Sequence, residues 1–360
     1  MKEFSCGTRI ISGSGAVTAL KNMGARRLML VTDPYFVKNG TAARIAAAAG
    51  AETTEIFDRV EPDPSVTLAA EGTAKVREFE PDMIVALGGG SAMDCAKAMA
   101  YFSGTKARLV AIPTTSGSGS EVTDFAILTH NSVKHPLVDR RLRPEAAILD
   151  DELLKGLPPS LVADAGFDVL SHALEAYVGT NAGAVTDALA RDAFCAAFAA
   201  LPASFNGRTD VRLRIHIAAT MAGMAFTQAG LGLCHALSHS LGGLYHVPHG
   251  RLNAILLPAV IDCNAHAASE KYAGLSRAAG LGGSADVIAV RNLKNGLVRL
   301  RTEMRLPATL AQAGVEPRQV WHDMNQIVAA AMADPCCDTN PMKVEDFMVR
   351  KILEEVTGRV

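Results

Sequence analysis

The first 150 residues alternate short apolar runs with stretches of helical periodicity. Turn residues bound the apolar runs, and we predict buried strands at 28–32, 83–87, 109–112 and 146–149. Helical patterns lie between them at 42–49 and 65–79, the second directly after the turn sequence Glu61-Pro-Asp-Pro64. Strands that alternate with helices are typical of a parallel sheet covered by helices.

Beyond Pro158-Pro159 the pattern changes to long, alanine-rich helical stretches at 163–177, 185–201 and 211–228. A chain of 360 residues is too long for one ordinary core and suits two domains. We therefore predict an α/β N-terminal dinucleotide-binding domain with a mostly parallel sheet at 1–157, followed by an all-α metal-binding domain at 158–360.

Composition narrows the choice of partner. Charged residues make up 20% of the chain and the net charge is -2, so we expect no nucleic-acid partner and no basic helix for a membrane surface. No uninterrupted apolar run reaches the roughly 18 residues of a membrane span, and the N-terminus lacks a signal-peptide layout. The seven cysteines form no C-x-x-C motif. These features predict a cytoplasmic protein that acts on a small molecule.

A glycine turn follows the strand predicted at 83–87. Gly88-Gly-Gly-Ser91 leads into a helix, where glycines allow close approach of a phosphate and the helix N-terminus offers free N–H groups. Ser91 and Asp94 have the spacing of a capping box. A tight strand-to-helix turn with a good cap explains the same residues without a ligand.

A second loop of hydroxyls and glycines, Pro113-Thr-Thr-Ser-Gly-Ser-Gly-Ser-Glu121, follows the next strand. Two such loops after neighbouring strands favour a dinucleotide site. Gly13-Ser14-Gly15 precedes any such strand-turn-helix unit, and we interpret it as a turn. Asp33 follows the strand at 28–32, where a carboxylate accepts hydrogen bonds from ribose and repels a 2′-phosphate, which favours NAD over NADP. The alternative is that Asp33-Pro34 only starts a turn.

Four of the ten histidines, His235, His239, His246 and His249, lie within fifteen residues. We expect a helix that carries His235 and His239, and before His249 come Gly242-Gly243 and Pro248, residues that can end the helix and fold the chain back. About sixty residues earlier, Asp168 and His172 stand four apart, which places both on one helix face.

One carboxylate and several imidazoles suit Zn(II) or Fe(II). Five histidines compete for about three ligand places, so at least one of His239 and His246 has another task. Cys234 could serve as a soft ligand, although burial in the core is the favoured interpretation. We interpret the remaining histidines as ordinary residues: His130, His135, His216, His266 and His322.

Four motifs, in this order, resemble the iron-containing (group III) alcohol dehydrogenases, and the resemblance covers nearly the whole chain. The motifs lie at 88–97, 112–121, 166–177 and 234–239 with Pro248-His-Gly250. The resemblance implies an α/β NAD(P)-binding domain, a helical domain and a divalent iron, sometimes zinc.

Position by position, the resemblance implies the metal ligands Asp168, His172, His235 and His249. It places His239 near the nicotinamide, and we expect His239 or His246 to carry the alcohol proton to solvent. The implied cofactor contacts are Asp33, Gly88, Gly89, Gly90, Ser91, Asp94, Thr114, Thr115, Ser118 and Lys134.

Within the family, segments such as 222–232 and 334–341 are most similar to the 1-propanol dehydrogenases of propanediol-utilisation microcompartments, and then to the ethanol dehydrogenases of ethanolamine and choline utilisation. The implied function is NAD-dependent interconversion of short-chain aldehydes and primary alcohols, with propionaldehyde and 1-propanol favoured. A homo-oligomer is expected in the cytoplasm or inside a microcompartment, with the shell or co-encapsulated enzymes as partners. The alternatives are a lyase of the dehydroquinate-synthase type, which typically uses a Glu-His-His metal set, and a metal-stabilised structural subunit.

Overall fold

A computed structural model describes residues 2–130 and 133–358. The described residues form two compact units. One is Ser5–Leu157, and the other contains the chain from Pro158 onward together with the first residues of the chain.

The first unit alternates strands and helices. Its elements are β1 Arg9–Ser12, α1 Ala19–Asn22, β2 Arg27–Val31, α2 Pro34–Lys38, α3 Thr41–Ala49, β3 Thr53–Phe57, α4 Val66–Phe79, β4 Met83–Gly88, α5 Gly90–Ser103, β5 Arg108–Pro113, β6 Phe125–His130, β7 Val133–Val138 and β8 Ala146–Leu149. Six of the strands in the described part of the chain form a sheet in the order β1-β8-β5-β4-β2-β3 with parallel pairing throughout. β6 and β7 form a separate antiparallel pair. The predicted parallel α/β architecture is confirmed.

The sheet is buried on both faces, which explains why its central strands are apolar runs without alternation. In β2, Leu28 and Leu30 pack in a cluster with Ile45 of α3, whereas Met29 packs on the other face in a cluster with Met99 of α5. The edge strands β1 and β3 were not predicted. β1 is half-buried or exposed throughout and β3 is buried only at Phe57, so neither carries a long apolar run.

The order of the strands predicts where a ligand would bind along the carboxyl ends of this sheet. From β2 the chain moves to β3 on one side and then returns to β4 on the other side of β2. In such open parallel sheets, ligands bind at the carboxyl ends of the strands where the order reverses. The segments after β2 and β4 therefore hold the expected position for a nucleotide.

The second unit is helical. Its helices are α6 Pro159–Val178, α7 Ala184–Phe205, α8 Arg212–Ala229, α9 Leu233–Tyr245, α10 His249–Ala278, α11 Asp286–Glu303, α12 Pro317–Ala333 and α13 Asp346–Thr357. α6 is buried along most of its length and packs against α7, α8 and α10. A core helix of this kind can present polar residues to a site that is shielded from solvent.

Helix α7 bears on the prediction that the chain has no membrane span. By length and composition alone, α7 qualifies as a candidate membrane span, as does the bent pair of α8 and α9, although neither is an uninterrupted apolar run. In the structure, α7 packs on α6 and α8, with its buried face formed by Ala190, Phe194, Ala197 and Leu201. Such packing is typical of a helix in the core of a folded unit.

Candidate metal centre and nucleotide loops

Helices α6, α9 and α10 bring four side chains to one point. Asp168 Oδ1 lies 3.7 Å from His172 Nε2, 3.9 Å from His235 Nε2 and 3.5 Å from His249 Nε2. These separations are longer than hydrogen bonds. Asp168, His172 and His235 are buried, and His249 is half-buried.

The spacing of this cluster fits a single cation. Ligands on a tetrahedron with bonds of about 2.1 Å stand roughly 3.4 Å apart. The four donor atoms lie within 4.8 Å of one another. One carboxylate with three imidazoles is a ligand set that suits Fe(II) or Zn(II). The residues present therefore fit the divalent metal that the sequence resemblance implies.

Glu175 is a site residue that sequence reasoning missed. Its carboxylate accepts hydrogen bonds from Gly232 N at 3.0 Å and Cys234 N at 2.7 Å, and Oε2 lies 2.6 Å from His235 Nδ1. Burial raises the pKa of Glu175 to about 7, against the opposing effect of these backbone N–H groups. Contact with Glu175 through Nδ1 directs His235 Nε2 toward Asp168, with Asn253 Nδ2 3.5 Å from the same nitrogen.

Gly232 makes this arrangement possible. A Cβ at position 232 would lie 2.8 Å from Glu175 Oε1 and 3.0 Å from Asn340 Oδ1. Glu175 also caps α9, since its oxygens accept from backbone N–H groups at the start of that helix. The only sequence signal was its place three residues after His172, and spacing does not reveal what a buried carboxylate faces.

Asn253 of α10 is a second missed residue. Its Nδ2 donates to Asp168 Oδ1 at 3.0 Å, and its Oδ1 accepts from Ser238 Oγ. Cys234 Sγ lies 3.7 Å from the same Oδ1 and is buried, as the packing interpretation of this cysteine predicted. The ring of His172 is positioned by an aromatic contact: it stacks on Phe226, with the ring centroids 4.5 Å apart.

His239 lies beside the group of Asp168, His172, His235 and His249, but its ring contacts another carboxylate. Its Nδ1 is 2.8 Å from Asp334 Oδ2, and its ring stacks on His249 with centroids 5.4 Å apart. Burial disfavours ionisation of Asp334, but the hydrogen bond and charge of His239 together with the hydrogen bonds from Cys336 outweigh it and lower the pKa of Asp334 to about 2. Asp334 is 95 residues away in sequence, and no local pattern pointed to it.

Helix α9 does not end at Gly242-Gly243, although these glycines were among the residues that could end it. The helix continues through both glycines to Tyr245, and a Cβ on Gly242 would lie at ordinary contact distance, 3.5 Å, from Leu252 Cδ1 of α10. The chain instead reverses at His246, which is exposed and has left-handed backbone with φ 54°. Pro248 then precedes α10, which begins at His249.

In the first unit, the two predicted nucleotide loops lie against each other. Thr114 N donates to Gly88 O at 2.9 Å. A Cβ at Gly89 would lie 3.2 Å from Thr115 Oγ1, and one at Gly90 would lie 3.2 Å from Ser118 Cβ. The glycines therefore leave room for the second loop, and both loops lie at the carboxyl ends of β4 and β5.

Asp33 follows β2 at the same edge and caps α2. Its Oδ1 accepts from Tyr35 N at 2.9 Å and Phe36 N at 3.3 Å. Its Oδ2 points toward the glycine turn, 3.9 Å from the position of a Cβ on Gly88. The turn-starting interpretation is confirmed, and it leaves one carboxylate oxygen facing the proposed nucleotide site.

The capping box predicted from Ser91 and Asp94 is wrong. No side chain caps α5 in the described residues, and Asp94 accepts from Ser120 Oγ at 2.8 Å and Ile127 N at 3.1 Å. The carboxylate thus ties α5 to the following loop and to β6. The first N–H groups of α5 have no side-chain cap, which suits a phosphate.

Lys134 and Ser91 meet through Asp63. Lys134 Nζ lies 2.7 Å from Asp63 Oδ1, and Asp63 N donates to Ser91 Oγ at 3.3 Å. Lys134 is therefore connected through Asp63 to Ser91 of the glycine turn. Gly13 and Gly15 both have positive φ in a turn after β1, as predicted.

Comparison with known proteins decides the family. The family model "Iron-containing alcohol dehydrogenase" matches residues 7–151, and the model "Fe-containing alcohol dehydrogenase family, C-terminal" matches residues 162–357. The 1-propanol dehydrogenase PduQ of Citrobacter freundii is 38% identical, in an alignment that covers 99% of this chain and 100% of that protein. The chain belongs to the iron-containing alcohol dehydrogenase family.

This iron-containing alcohol dehydrogenase also resembles a relative with a different substrate in its name and a solved structure of the same family. The NADPH-dependent butanol dehydrogenase of Clostridium saccharobutylicum is 36% identical over 98% of this chain and 97% of that protein. The structure of an iron-containing alcohol dehydrogenase from Thermococcus thioreducens matches with a TM-score of 0.91 and 31% identity, over 98% of this chain and 99% of that one. The enzyme is an oxidoreductase, and its family implies NAD(H) and a divalent metal ion.

Proposed function

We propose that this alcohol dehydrogenase interconverts short-chain aldehydes and primary alcohols, with propionaldehyde and 1-propanol as its preferred pair. The proposal depends on one observation, the convergence of one donor atom each from Asp168 and three histidines within 4.8 Å of one another. The name of the PduQ relative supports the substrate, and ethanol remains the alternative.

Asp168, His172, His235 and His249 would hold a divalent iron, with zinc as the alternative ion. A cation bound there supplies Lewis acidity toward the oxygen of the substrate. Glu175 and Asn253 hold His235 and Asp168 in position, at 2.6 and 3.0 Å. Orientation by such outer contacts preserves ligand geometry when substrates exchange.

His239 is the proposed proton carrier for the alcohol hydroxyl. Ionised Asp334 favours the tautomer with hydrogen on Nδ1, so Nε2 carries the lone pair that accepts a proton. His246 is exposed, which suits transfer of that proton to solvent. Both roles are part of the proposal.

The cofactor proposed is NAD(H). The glycine turn from Gly88 to Ser91, with Thr114, Thr115 and Ser118, would bind the pyrophosphate, and Asp94 and Lys134 would support the same loops. Asp33 Oδ2 would accept from ribose and repel a 2′-phosphate. The preference for NAD(H) over NADP(H) does not follow from the family alone, since the butanol dehydrogenase relative is named as NADPH-dependent.

We also propose a homo-oligomeric enzyme of the cytoplasm, associated with a propanediol-utilisation microcompartment. The support is its similarity to PduQ proteins from two bacteria. Co-sedimentation of the enzyme with purified shells would test the association. An enzyme that stays in the supernatant would contradict it.

The function is tested by NADH oxidation with aldehydes from acetaldehyde to butyraldehyde, on protein loaded anaerobically with iron or with zinc. We expect the highest kcat/KM with propionaldehyde. His235→Ala should lose metal and activity together, whereas His239→Ala should retain metal and lose rate. A metal-replete, fully active His235→Ala protein would refute the proposed site.

The same assay separates the other candidate functions. A structural subunit would bind no NADH and oxidise none. For a lyase of the dehydroquinate-synthase type the expected metal set is Glu-His-His, but the carboxylate in this cluster is Asp168, and Glu175 lies behind His235. The observed arrangement therefore favours the dehydrogenase.

A further inference from the structure

A second cluster of metal-binding side chains lies in the helical unit. His239 of α9, Asp334 after α12 and Cys336 two residues further each offer one donor atom, and these atoms lie within 4.8 Å of one another. None of the three is a member of the Asp168 cluster. Nitrogen, oxygen and sulfur donors are thus collected at one half-buried point.

Hydrogen bonds hold the three side chains in place. Asp334 Oδ1 accepts from Cys336 N at 2.8 Å, which fixes the turn Pro335–Thr339 that carries the cysteine. Asp334 Oδ2 is 2.8 Å from His239 Nδ1, and the Cys336 thiol also hydrogen-bonds to this carboxylate. The imidazole and the thiol therefore both direct a proton toward one carboxylate, where a cation would replace those protons.

The donor set and the space suit a thiophilic divalent ion. Zinc takes cysteine, histidine and carboxylate ligands, and three protein ligands leave one position for water. The side chains of His239 and Asp334 are 25% and 15% exposed, so water can reach them. Tetrahedral ligands stand roughly 3.4 Å apart, so the contact between His239 and Asp334 must widen by about 0.6 Å. Partly exposed side chains can accommodate such a shift.

We propose that His239, Asp334 and Cys336 form a second metal site, which binds zinc or a similar thiophilic divalent ion through a cysteine thiolate. Occupation of this site takes His239 Nδ1 away from Asp334. If His239 carries the proton as proposed above, excess zinc inhibits the enzyme without displacing the ion held by Asp168. This inhibition is the part that rests on the proposed function.

Anaerobic titration with Co(II) tests the site, because a cobalt–thiolate bond gives a charge-transfer band in the near ultraviolet. The Asp168 cluster contains no sulfur and cannot produce that band. We expect the band in the wild type, in Cys337→Ser and in Asp168→Asn, but not in Cys336→Ser. Cys337 is the matched control, since it is the adjacent cysteine and its Sγ hydrogen-bonds to Ala331 O instead.

Absence of the band from the wild type at every cobalt ratio would overturn the proposal, as would its persistence in Cys336→Ser. The Asp168→Asn arm keeps this test apart from the proposed function, since failure of the Asp168 cluster leaves the thiolate band unaffected. For inhibition, we expect the zinc concentration for half-maximal effect to rise at least tenfold in Cys336→Ser relative to Cys337→Ser. Equal zinc sensitivity of these two variants would overturn the inhibitory role.

Discussion

Glu175 Oε2 lies 2.6 Å from His235 Nδ1, and both side chains are almost completely buried. The same carboxylate accepts two backbone N–H groups at the start of α9. One side chain therefore fixes the helix that carries His235 and the orientation of its ring. The contact joins a structural role to a proposed role in metal binding.

Replacement of Glu175 by Gln should weaken metal binding by about 10- to 100-fold. The side-chain amide brings N–H groups toward the N–H groups of Gly232 and Cys234, so it cannot satisfy every partner. Zinc affinity, measured by competition with a chelator, checks this. Glu152→Gln is the control, since Glu152 is a surface residue paired with Lys155. Equal affinities in the two variants would show that Glu175 does not position His235.

Replacement of Asp33 by Ser should change the cofactor preference. Serine retains the ability to cap α2, but it removes the charge that faces Gly88. We expect the ratio of kcat/KM for NADPH to that for NADH to rise by about tenfold, as electrostatic repulsion of a 2′-phosphate is lost. Steady-state kinetics with both cofactors measure the ratio. An unchanged ratio would mean that Asp33 serves only as a helix cap.

Replacement of Gly88 by Ala should weaken NADH binding. Gly88 has φ 152°, and its new Cβ would lie 2.6 Å from Ala92 Cβ, so the turn must shift. Gly104→Ala is a matched control, because Gly104 has φ 70° but no atom within 4 Å of the added Cβ. Gly104→Ala should lose about 1–2 kcal/mol of stability, and Gly88→Ala should lose at least as much because its Cβ also clashes with Ala92. Only Gly88→Ala should show a higher Kd in a fluorescence titration with NADH. Unchanged affinity in Gly88→Ala would argue against a phosphate at this turn.

Lys97 gives a prediction about pH. It is buried in α5 and donates to Ser120 Oγ, Thr123 Oγ1 and Phe125 O at 2.8–3.0 Å. Burial lowers the pKa of Lys97 to about 8 from 10.5, against the attraction of nearby carboxylates. Between these values the folded protein loses the proton and the unfolded chain retains it. The contribution of Lys97 to stability should therefore rise with pH over this window.

The comparison with Lys97→Met isolates that contribution. Relative to the variant, the free energy of unfolding of the wild type should rise by up to about 1.4 kcal/mol per pH unit between pH 8 and 10. Urea unfolding at pH 7, 8, 9 and 10 measures both proteins. Parallel pH profiles would show that Lys97 keeps its ordinary pKa in the fold.

The sequence was most informative where a pattern is local. The apolar run at 83–87 became β4 at Met83–Gly88, because a strand buried on both faces needs apolar residues at every position. Asp168 and His172 share a helix face because they stand four residues apart. Residues identified by resemblance, such as His249, were also brought to the cluster.

Sequence reasoning failed where a side chain had more than one available partner. Ser91 and Asp94 have capping-box spacing, but Asp94 bonds to Ser120 and Ile127 instead. Gly242 and Gly243 can end a helix, but α9 continues through both to Tyr245. Spacing states which contacts are sterically possible, and it does not rank them.

By itself the sequence determined the parallel α/β unit, the helical unit and the residue types of the proposed metal site, since periodicity and short motifs depend on neighbours along the chain. Only the tertiary structure decided that Glu175 supports His235, that Asn253 supports Asp168 and that Asp334 faces both His239 and Cys336. Most of these contacts join residues 60 or more positions apart. The packing of whole helices determines which groups pair, because a buried polar group forms a hydrogen bond with the complementary group that the fold places beside it.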